Sequence, residues 1–103
     1  MDEKVYETLA EYFKALSHPT RVKIVQYLSK GERCVCEIFP YLREEQSNVS
    51  RHLAALKRAG ILSSHKKGVS VYYRVSDKNV YKLLELVLSS IKRIAKEKAT
   101  ILS

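Results

Sequence analysis

The period of the hydrophobic residues changes at Gly60, and this change limits the folds available to the chain. Before Gly60, apolar residues recur every three or four positions, as in residues 5–16, which is the period of an amphipathic helix. After it, residues 69–75 alternate between apolar and polar, which is the period of a half-buried strand. Residues 61–66 and 69–75 therefore predict a β-hairpin that turns at residues 67–68.

Proline and glycine divide the rest of the chain into helices. Pro19 suits the first turn of a helix, where its missing N–H would have no partner, and Gly31 suits a helix end. Pro40 is expected to end a short third helix. The predicted elements of a single domain, residues 1–103, are helices at 1–17, from Pro19 to Gly31, at 33–40 and at 47–59, a hairpin at 61–75 and a last helix at 77–98. The fold class is thus mainly α with a β-hairpin wing, in the order α-α-α-α-β-β-α.

The last helix carries more apolar surface than one protein core covers. At 100° per residue its apolar side chains span roughly 220° of the circumference, whereas a helix on a single core needs a stripe of about 100°. With no second domain to cover the excess, a second copy of the chain is the simplest partner. A homodimer through the first and last helices is therefore predicted. Its predicted interface residues are Val5, Leu9, Tyr12, Leu84, Val87, Leu88, Ile91 and Ile94.

The fourth helix has one apolar and one polar face. Val49, Leu53 and Leu56 lie within about 60° of one another and are predicted to be buried. The opposite face carries Arg, Asn and Ser, which can bond to guanine, adenine and phosphate groups of DNA. A short helix before it and a basic hairpin after it predict a winged helix-turn-helix, with the helix-turn-helix at 34–59 and the wing at 61–75. The predicted DNA contacts are Ser47, Asn48, Ser50, Arg51, His52 and Arg58 on the helix, and His65, Lys66, Lys67 and Arg74 on the wing.

The charge balance favours a polyanionic partner over a catalytic role. The chain has 19 Lys and Arg against 11 Asp and Glu, a formal net charge of +8. It has no Gly-rich phosphate loop, no paired carboxylates with a shared pocket and no C-x-x-C motif, so we do not expect an enzyme. An architectural nucleic-acid protein that needs no ligand remains an alternative to a regulator. Without a membrane-length apolar run or a secretion signal, and with two thiols expected to stay reduced, a cytoplasmic location is expected.

Four segments in this order resemble the ArsR/SmtB family of dimeric metal- and metalloid-sensing repressors: FKALSHPTRVKIVQYLSKG, CVCEI, QSNVSRHLAALKRAGIL and GVSVYYRVSD. The resemblance covers about residues 5–95. It implies a winged-helix homodimer that binds double-stranded DNA at a palindromic operator overlapping a promoter, and that leaves the operator when a ligand binds. Within this pattern, residues 47–53 resemble the helix that reads DNA.

The resemblance also gives the two cysteines a role. In the arsenic-sensing branch, a CVC segment resembles Cys34 and Cys36, and a third cysteine usually follows three residues later, where this chain has Phe39. The resemblance therefore implies As(III), Sb(III) or a similar thiophilic ion as inducer, with a third ligand that the sequence does not identify and no obligatory cofactor. The family's zinc-type site on the last helix is not expected, because Ser90 and Arg93 stand where it needs His and Glu.

The spacing of the cysteines predicts how they could act. Both cysteines lie in the predicted third helix, where residues two apart point about 200° apart, so binding one ion or forming a disulfide is expected to unwind that turn. Unwinding the third helix would disturb the fourth helix and release DNA. Three interpretations stay open: sensing of a soft ion, a redox switch, and inert cysteines packed as small hydrophobic residues.

Overall fold

The computed structural model describes residues 1–102, with side chains for residues 1–100; residue 103 of the predicted domain lies outside the described residues. In chain order the elements are α1 (Glu3–Leu16), α2 (Pro19–Tyr27), a 3-10 turn (Leu28–Lys30), β1 (Arg33–Cys34), α3 (Val35–Leu42), α4 (Gln46–Arg58), β2 (Leu62–Lys67), β3 (Ser70–Val75) and α5 (Asn79–Leu102). The predicted fold, mainly helical with a hairpin wing after the fourth helix, is confirmed.

The sheet has three strands rather than the two that the hydrophobic period predicts. The strand order is β1-β3-β2 and both pairings are antiparallel, with Cys34 of β1 opposite Tyr72 of β3. In the hairpin, Lys67 pairs with Ser70, so the turn is at residues 68–69 and not at 67–68. Gly68 begins the turn with a φ of +63°, a conformation that suits the first position of a two-residue hairpin turn.

The third helix is shifted by two residues from its prediction. Cys34 is the N-cap of this helix and has an extended conformation. Its backbone N–H donates to Glu37 Oε1 at 3.1 Å, and its Sγ accepts from the N–H of Cys36 at 3.1 Å. These two bonds make Cys34 a cap rather than a helical residue. At the other end, the helix continues past Pro40 for two residues, which costs one internal hydrogen bond. It ends at Arg43, which has a φ of +56°. The prediction that Pro40 ends this helix is wrong.

The core lies between α2, α3, α4 and the sheet. Val49, Leu53 and Leu56 form the buried face of α4, as the spacing predicts. Other fully buried side chains of the described residues are Ile24, Val25 and Leu28 of α2 and the turn after it, Ile38 of α3, and Ile61, Val75 and Val80 around the sheet. This core holds α4 against α2, so that its opposite face stays open to the surface.

The helices α1 and α5 leave a large apolar surface uncovered. Val5 and Leu9 of α1 and Val87, Leu88, Ile91 and Ile94 of α5 are each more than 40% exposed. Between these helices and α2 lies a groove of about 590 Å³ whose lining includes Phe13, Leu84 and Leu88. Single exposed apolar residues are ordinary on a protein surface, whereas a continuous apolar face of this kind marks an interaction site.

A hydrogen bond joins α1 to the chain just before α5. The Tyr12 hydroxyl donates to Asp77 Oδ2 at 2.7 Å. Burial, followed by this bond and the charge of Asp77, raises the pKa of Tyr12 to about 12. Tyr12, which the sequence places at the dimer interface, is thus half-buried within its own chain. Among residues 1–102, no helix is long and apolar enough to cross a membrane.

Candidate DNA-binding surface and cysteine pair

The exposed face of α4 presents the predicted base-reading side chains. Ser47, Ser50 and Arg51 are exposed, and Asn48 is half-buried at the edge of the same face. A guanidinium nitrogen of Arg51 donates to Asn48 Oδ1. This contact orients both side chains, one of which can donate two hydrogen bonds to guanine while the other can pair with adenine. This end of α4 therefore carries the chemistry of direct base recognition.

His52 lies beside α2 and is less exposed than its neighbours on α4. Its Nδ1 accepts a hydrogen bond from Arg21 Nε at 3.0 Å, and its ring lies 4.3 Å from the ring of His18, centroid to centroid. Arg21 Nη1 also donates to the carbonyl oxygen of Ala15 at the end of α1 (3.4 Å). Arg21 thereby connects α1, α2 and α4. The sequence does not predict this role, because Arg21 and His52 are 31 positions apart.

The surroundings of His52 are expected to make the folded chain less stable in acid. Burial is the largest cause that lowers the pKa of His52 below 6.5, and the positive charges of His18 and Arg21 lower it further; Glu44 opposes them and Arg51 adds to them. As the pH falls below about 6.5, the unfolded chain therefore takes up a proton that the folded chain resists. Neutral His52 therefore contributes its full stabilisation above about pH 6.5. This stabilisation decreases as the pH falls from 6.5 to the lower pKa that His52 has in the folded chain.

We expect the thermal stability of the wild-type chain to fall between pH 7 and pH 5, and to fall less in His52→Gln. The glutamine amide oxygen can still accept the bond from Arg21, but it does not titrate. Thermal unfolding followed by circular dichroism across this pH range measures the difference. An equal loss of stability in the two proteins would contradict this role of His52.

The wing places basic side chains beside a carboxylate that the sequence did not single out. Lys67 Nζ donates to Glu32 Oε1 at 2.8 Å, and His65 Nε2 lies 3.4 Å from Glu32 Oε2. The hydrogen bond from Lys67 is the largest cause that lowers the pKa of Glu32, and the same bond raises the pKa of Lys67. Lys66 and Arg74 are exposed. The wing is thus basic, with two of its side chains already engaged.

Arg58 lies apart from the other predicted contacts on α4. It lines two neighbouring grooves together with Glu11 and Ala59, on the side of α4 that faces α1. Close to it in sequence, Lys57 Nζ donates to Ser64 Oγ at 2.8 Å and ties α4 to the base of the wing. The structure therefore brings Ser47, Asn48 and Arg51 together at one end of α4 and places Arg58 at the other.

Cys34 and Cys36 are joined in a disulfide, with their Cα atoms 5.1 Å apart. Because Cys34 is outside α3, the disulfide forms without unwinding the helix, and the prediction that joining the sulfurs must break it is wrong. Cys34 is only 3% exposed, whereas Cys36 is exposed. Within residues 1–102 there is no group of three His, Cys, Asp or Glu side chains that could hold a metal ion. Phe39, at the position of the missing thiol, packs against the core.

Known proteins are similar to this chain in sequence or in fold. The family described as bacterial regulatory protein, arsR family, matches residues 18–64. The uncharacterized HTH-type transcriptional regulator MJ1325 of Methanocaldococcus jannaschii is 41% identical over 83 residues, which cover 80% of this chain and 93% of that protein. This chain belongs to the ArsR family.

One further relative and one solved structure are also similar to this chain. The arsenical resistance operon repressor of Escherichia coli is 45% identical over 67 residues, which cover 64% of this chain and 57% of that protein. The homodimeric winged helix-turn-helix DNA-binding domain Mb0332 of Mycobacterium bovis has a TM-score of 0.77 and 30% identity, covering 89% of this chain and 87% of that structure. The resemblance predicted from the sequence is confirmed: the chain is a DNA-binding transcriptional regulator of the ArsR family, and its relatives are regulators rather than enzymes.

Proposed function

We propose that this ArsR-family protein is a sequence-specific repressor that binds DNA as a homodimer and is controlled by its cysteine pair. The observation that carries the DNA-reading part is the exposed face of α4, where Arg51 and Asn48 are oriented together and the basic wing lies alongside. Placed in the major groove, α4 would read base edges, while Lys66 and Arg74 of the wing would contact phosphates. The helix-turn-helix at 34–59 and the wing at 61–75 are the working parts of this proposal.

The homodimer is supported by the apolar face of α1 and α5. Its residues include Val5, Leu9, Val87 and Ile91, all exposed in the single chain. The structural neighbour Mb0332 is a homodimer with the same kind of DNA-binding domain. Two copies related by a twofold axis would present two α4 helices to successive major grooves, so the operator would be palindromic with half-sites about one helical turn apart. Such a regulator works in the cytoplasm, where its DNA is.

The cysteine pair is the proposed inducer site. Cys34 and Cys36 bring two sulfur atoms together beside the wing, and thiolates are the ligands that soft ions such as As(III) and Sb(III) prefer. The name of the Escherichia coli relative ties that protein to arsenical resistance. In this chain a third ligand would have to come from water, a partner chain or a small thiol, since Phe39 offers none.

A redox switch is a second candidate, favoured by the joined sulfurs. Closure needs only Cys34 and Cys36: the two thiols release two protons and two electrons, and an oxidant such as hydrogen peroxide takes them up and leaves as water. Cys36 is the exposed member and is the sulfur that an oxidant reaches first. No third ligand is needed for this chemistry.

The two candidates are separated by following release of DNA from the reduced protein. We expect arsenite or antimonite to release the DNA if the pair binds soft ions, and hydrogen peroxide to release it if the pair is a redox switch. Zn(II) and Cd(II) complete the series.

Cys34→Ser and Cys36→Ser are each expected to abolish the response, because either reaction needs both sulfurs. Val35→Ala alters the residue between them without removing a thiol and is expected to respond as wild type. Fluorescence anisotropy of a labelled duplex measures release. Equal affinities under all these treatments would contradict control by the cysteines.

A further inference from the structure

The segment that carries Cys34 also reaches the tip of the wing. Cys34 pairs with Tyr72 in the middle strand of the sheet, and Glu32 lies two residues before it. From this position Glu32 engages both Lys67 and His65, which stand on β2, on the other side of the middle strand β3. Both rest against the Tyr72 side chain: Lys67 Nζ is 4.8 Å and the His65 ring 5.9 Å from its ring centroid. One carboxylate and one tyrosine therefore hold two of the wing residues predicted to contact DNA.

Glu32 offers Lys67 what a DNA phosphate would offer. A carboxylate oxygen 2.8 Å from an ammonium nitrogen makes a charge-assisted hydrogen bond of the kind that a phosphate oxygen accepts. When Lys67 moves to a phosphate it must give up or share this bond. In addition, the negative charge of Glu32 repels the DNA backbone at the edge of a basic surface. Both effects weaken binding of DNA by the wing.

A short segment anchored at Cys34 connects Glu32 to the cysteine pair. Cys34 is buried, it is bonded to Cys36, and its N–H is held by Glu37 at the start of α3. Glu32 is two residues from this anchor, so it has little freedom relative to the wing while the sulfurs are joined. Reduction removes the covalent bond that fixes Cys34 to the first turn of α3.

We propose that Glu32 is an autoinhibitory residue that holds Lys67 and His65 away from DNA while Cys34 and Cys36 are joined, and that reduction of the pair weakens this hold. The proposal rests on the proposed function, in which the wing contacts DNA and the cysteines control binding. It replaces unwinding of α3 with a direct connection between β1 and the wing. The redox state of the cysteine pair would then change the number of phosphate contacts that the wing makes.

The test compares Glu32→Gln with Glu7→Gln, oxidised and reduced, over a range of salt concentrations. Glu7 is an exposed α1 carboxylate without an ion pair in the described part of the chain, so its replacement changes the charge equally. We expect oxidised Glu32→Gln to bind a selected duplex several-fold more tightly than oxidised wild type, and its oxidised and reduced affinities to converge. Its salt dependence should steepen by up to about 0.9 per Lys67, or about 1.8 per dimer. Glu7→Gln is expected to keep the wild-type difference between the two states.

The same measurements in a Lys67→Gln background show whether Glu32 acts through Lys67. We expect most of the effect of Glu32→Gln to disappear there, and Lys67→Gln alone to weaken reduced protein more than oxidised protein. The Lys67→Gln measurement tests the proposal even if Glu32→Gln folds poorly, and thermal unfolding shows whether Glu32→Gln is folded. Equal behaviour of Glu32→Gln and Glu7→Gln would overturn the role of Glu32 alone, whereas failure of wild type to select any duplex would overturn the proposed function.

Discussion

Replacing Ile91 with Glu is expected to convert the dimer to a monomer and to remove most of its affinity for the operator. Ile91 is 56% exposed on α5, at the centre of the apolar face that two copies would cover. A carboxylate there would be buried in the dimer without a partner, at a cost of several kcal/mol. Loss of the dimer separates two half-site contacts that otherwise reinforce each other, so we expect operator affinity to fall about 10²- to 10⁴-fold.

Sedimentation equilibrium measures the dimer, and anisotropy of a labelled operator measures the affinity. Ser89→Glu is the matched control, because it adds the same charge two residues away, about 160° around the helix from Ile91. It is expected to remain dimeric and to bind nearly as wild type does. A dimeric Ile91→Glu with wild-type affinity would show that α5 does not form the interface.

Replacing Arg51 with Ala is expected to weaken operator binding by about 1–3 kcal/mol, roughly 5- to 150-fold, and to relax the preference at one base pair of each half-site. Arg51 is exposed on α4 and oriented by Asn48, so its loss removes two hydrogen bonds to a base edge without disturbing the core. Competition between the operator and single-base variants of it measures the preference at each position.

Lys66→Ala is the matched control for Arg51→Ala. It also removes one exposed positive charge, but from the wing, where the contact is expected to be with a phosphate. Lys66→Ala should weaken binding to all duplexes by a similar factor and reduce the salt dependence by about one per protomer. If Arg51→Ala behaved in the same way, Arg51 would contact the backbone and the base-reading role of α4 would be wrong.

The periodic parts of the fold could be predicted from the sequence. The buried face of α4 follows from a repeat of three or four residues, and the hairpin follows from alternation at residues 69–75. The excess apolar surface of α5 could also be predicted, because placing its residues at about 100° intervals around a helix is enough to show it. In each case the information lies within one element.

The connections between distant elements could not be predicted. Strand β1 has two residues, too few to show a period, and its partner Tyr72 is 38 residues beyond Cys34. Cysteine is not a usual helix cap, so sequence reasoning places Cys34 inside α3 and gives the wrong geometry for the pair. The contacts of Glu32 with the wing and of Arg21 with His52 likewise join residues that are more than 30 positions apart.

The position of Cys34 outside α3 favours a different mechanism for the proposed control. If both cysteines were inside α3, a ligand or an oxidant would disturb α4, the helix that follows it. With Cys34 in the sheet, the nearest DNA-binding part is the wing, and α4 can keep its place on the core. Control of this kind would adjust backbone contacts and leave the base-reading surface formed.

The most direct test of sequence-specific DNA binding by the dimer is a competition measurement. Reduced wild-type protein first selects duplexes from a random-sequence pool, and the selected duplex then competes with a scrambled duplex of the same composition at fixed, near-physiological salt. We predict a palindromic selected sequence, one dimer per duplex and a preference of about 10³-fold or more over the scrambled duplex. Equal competition by the two duplexes would contradict sequence-specific binding and would favour an architectural DNA-binding protein.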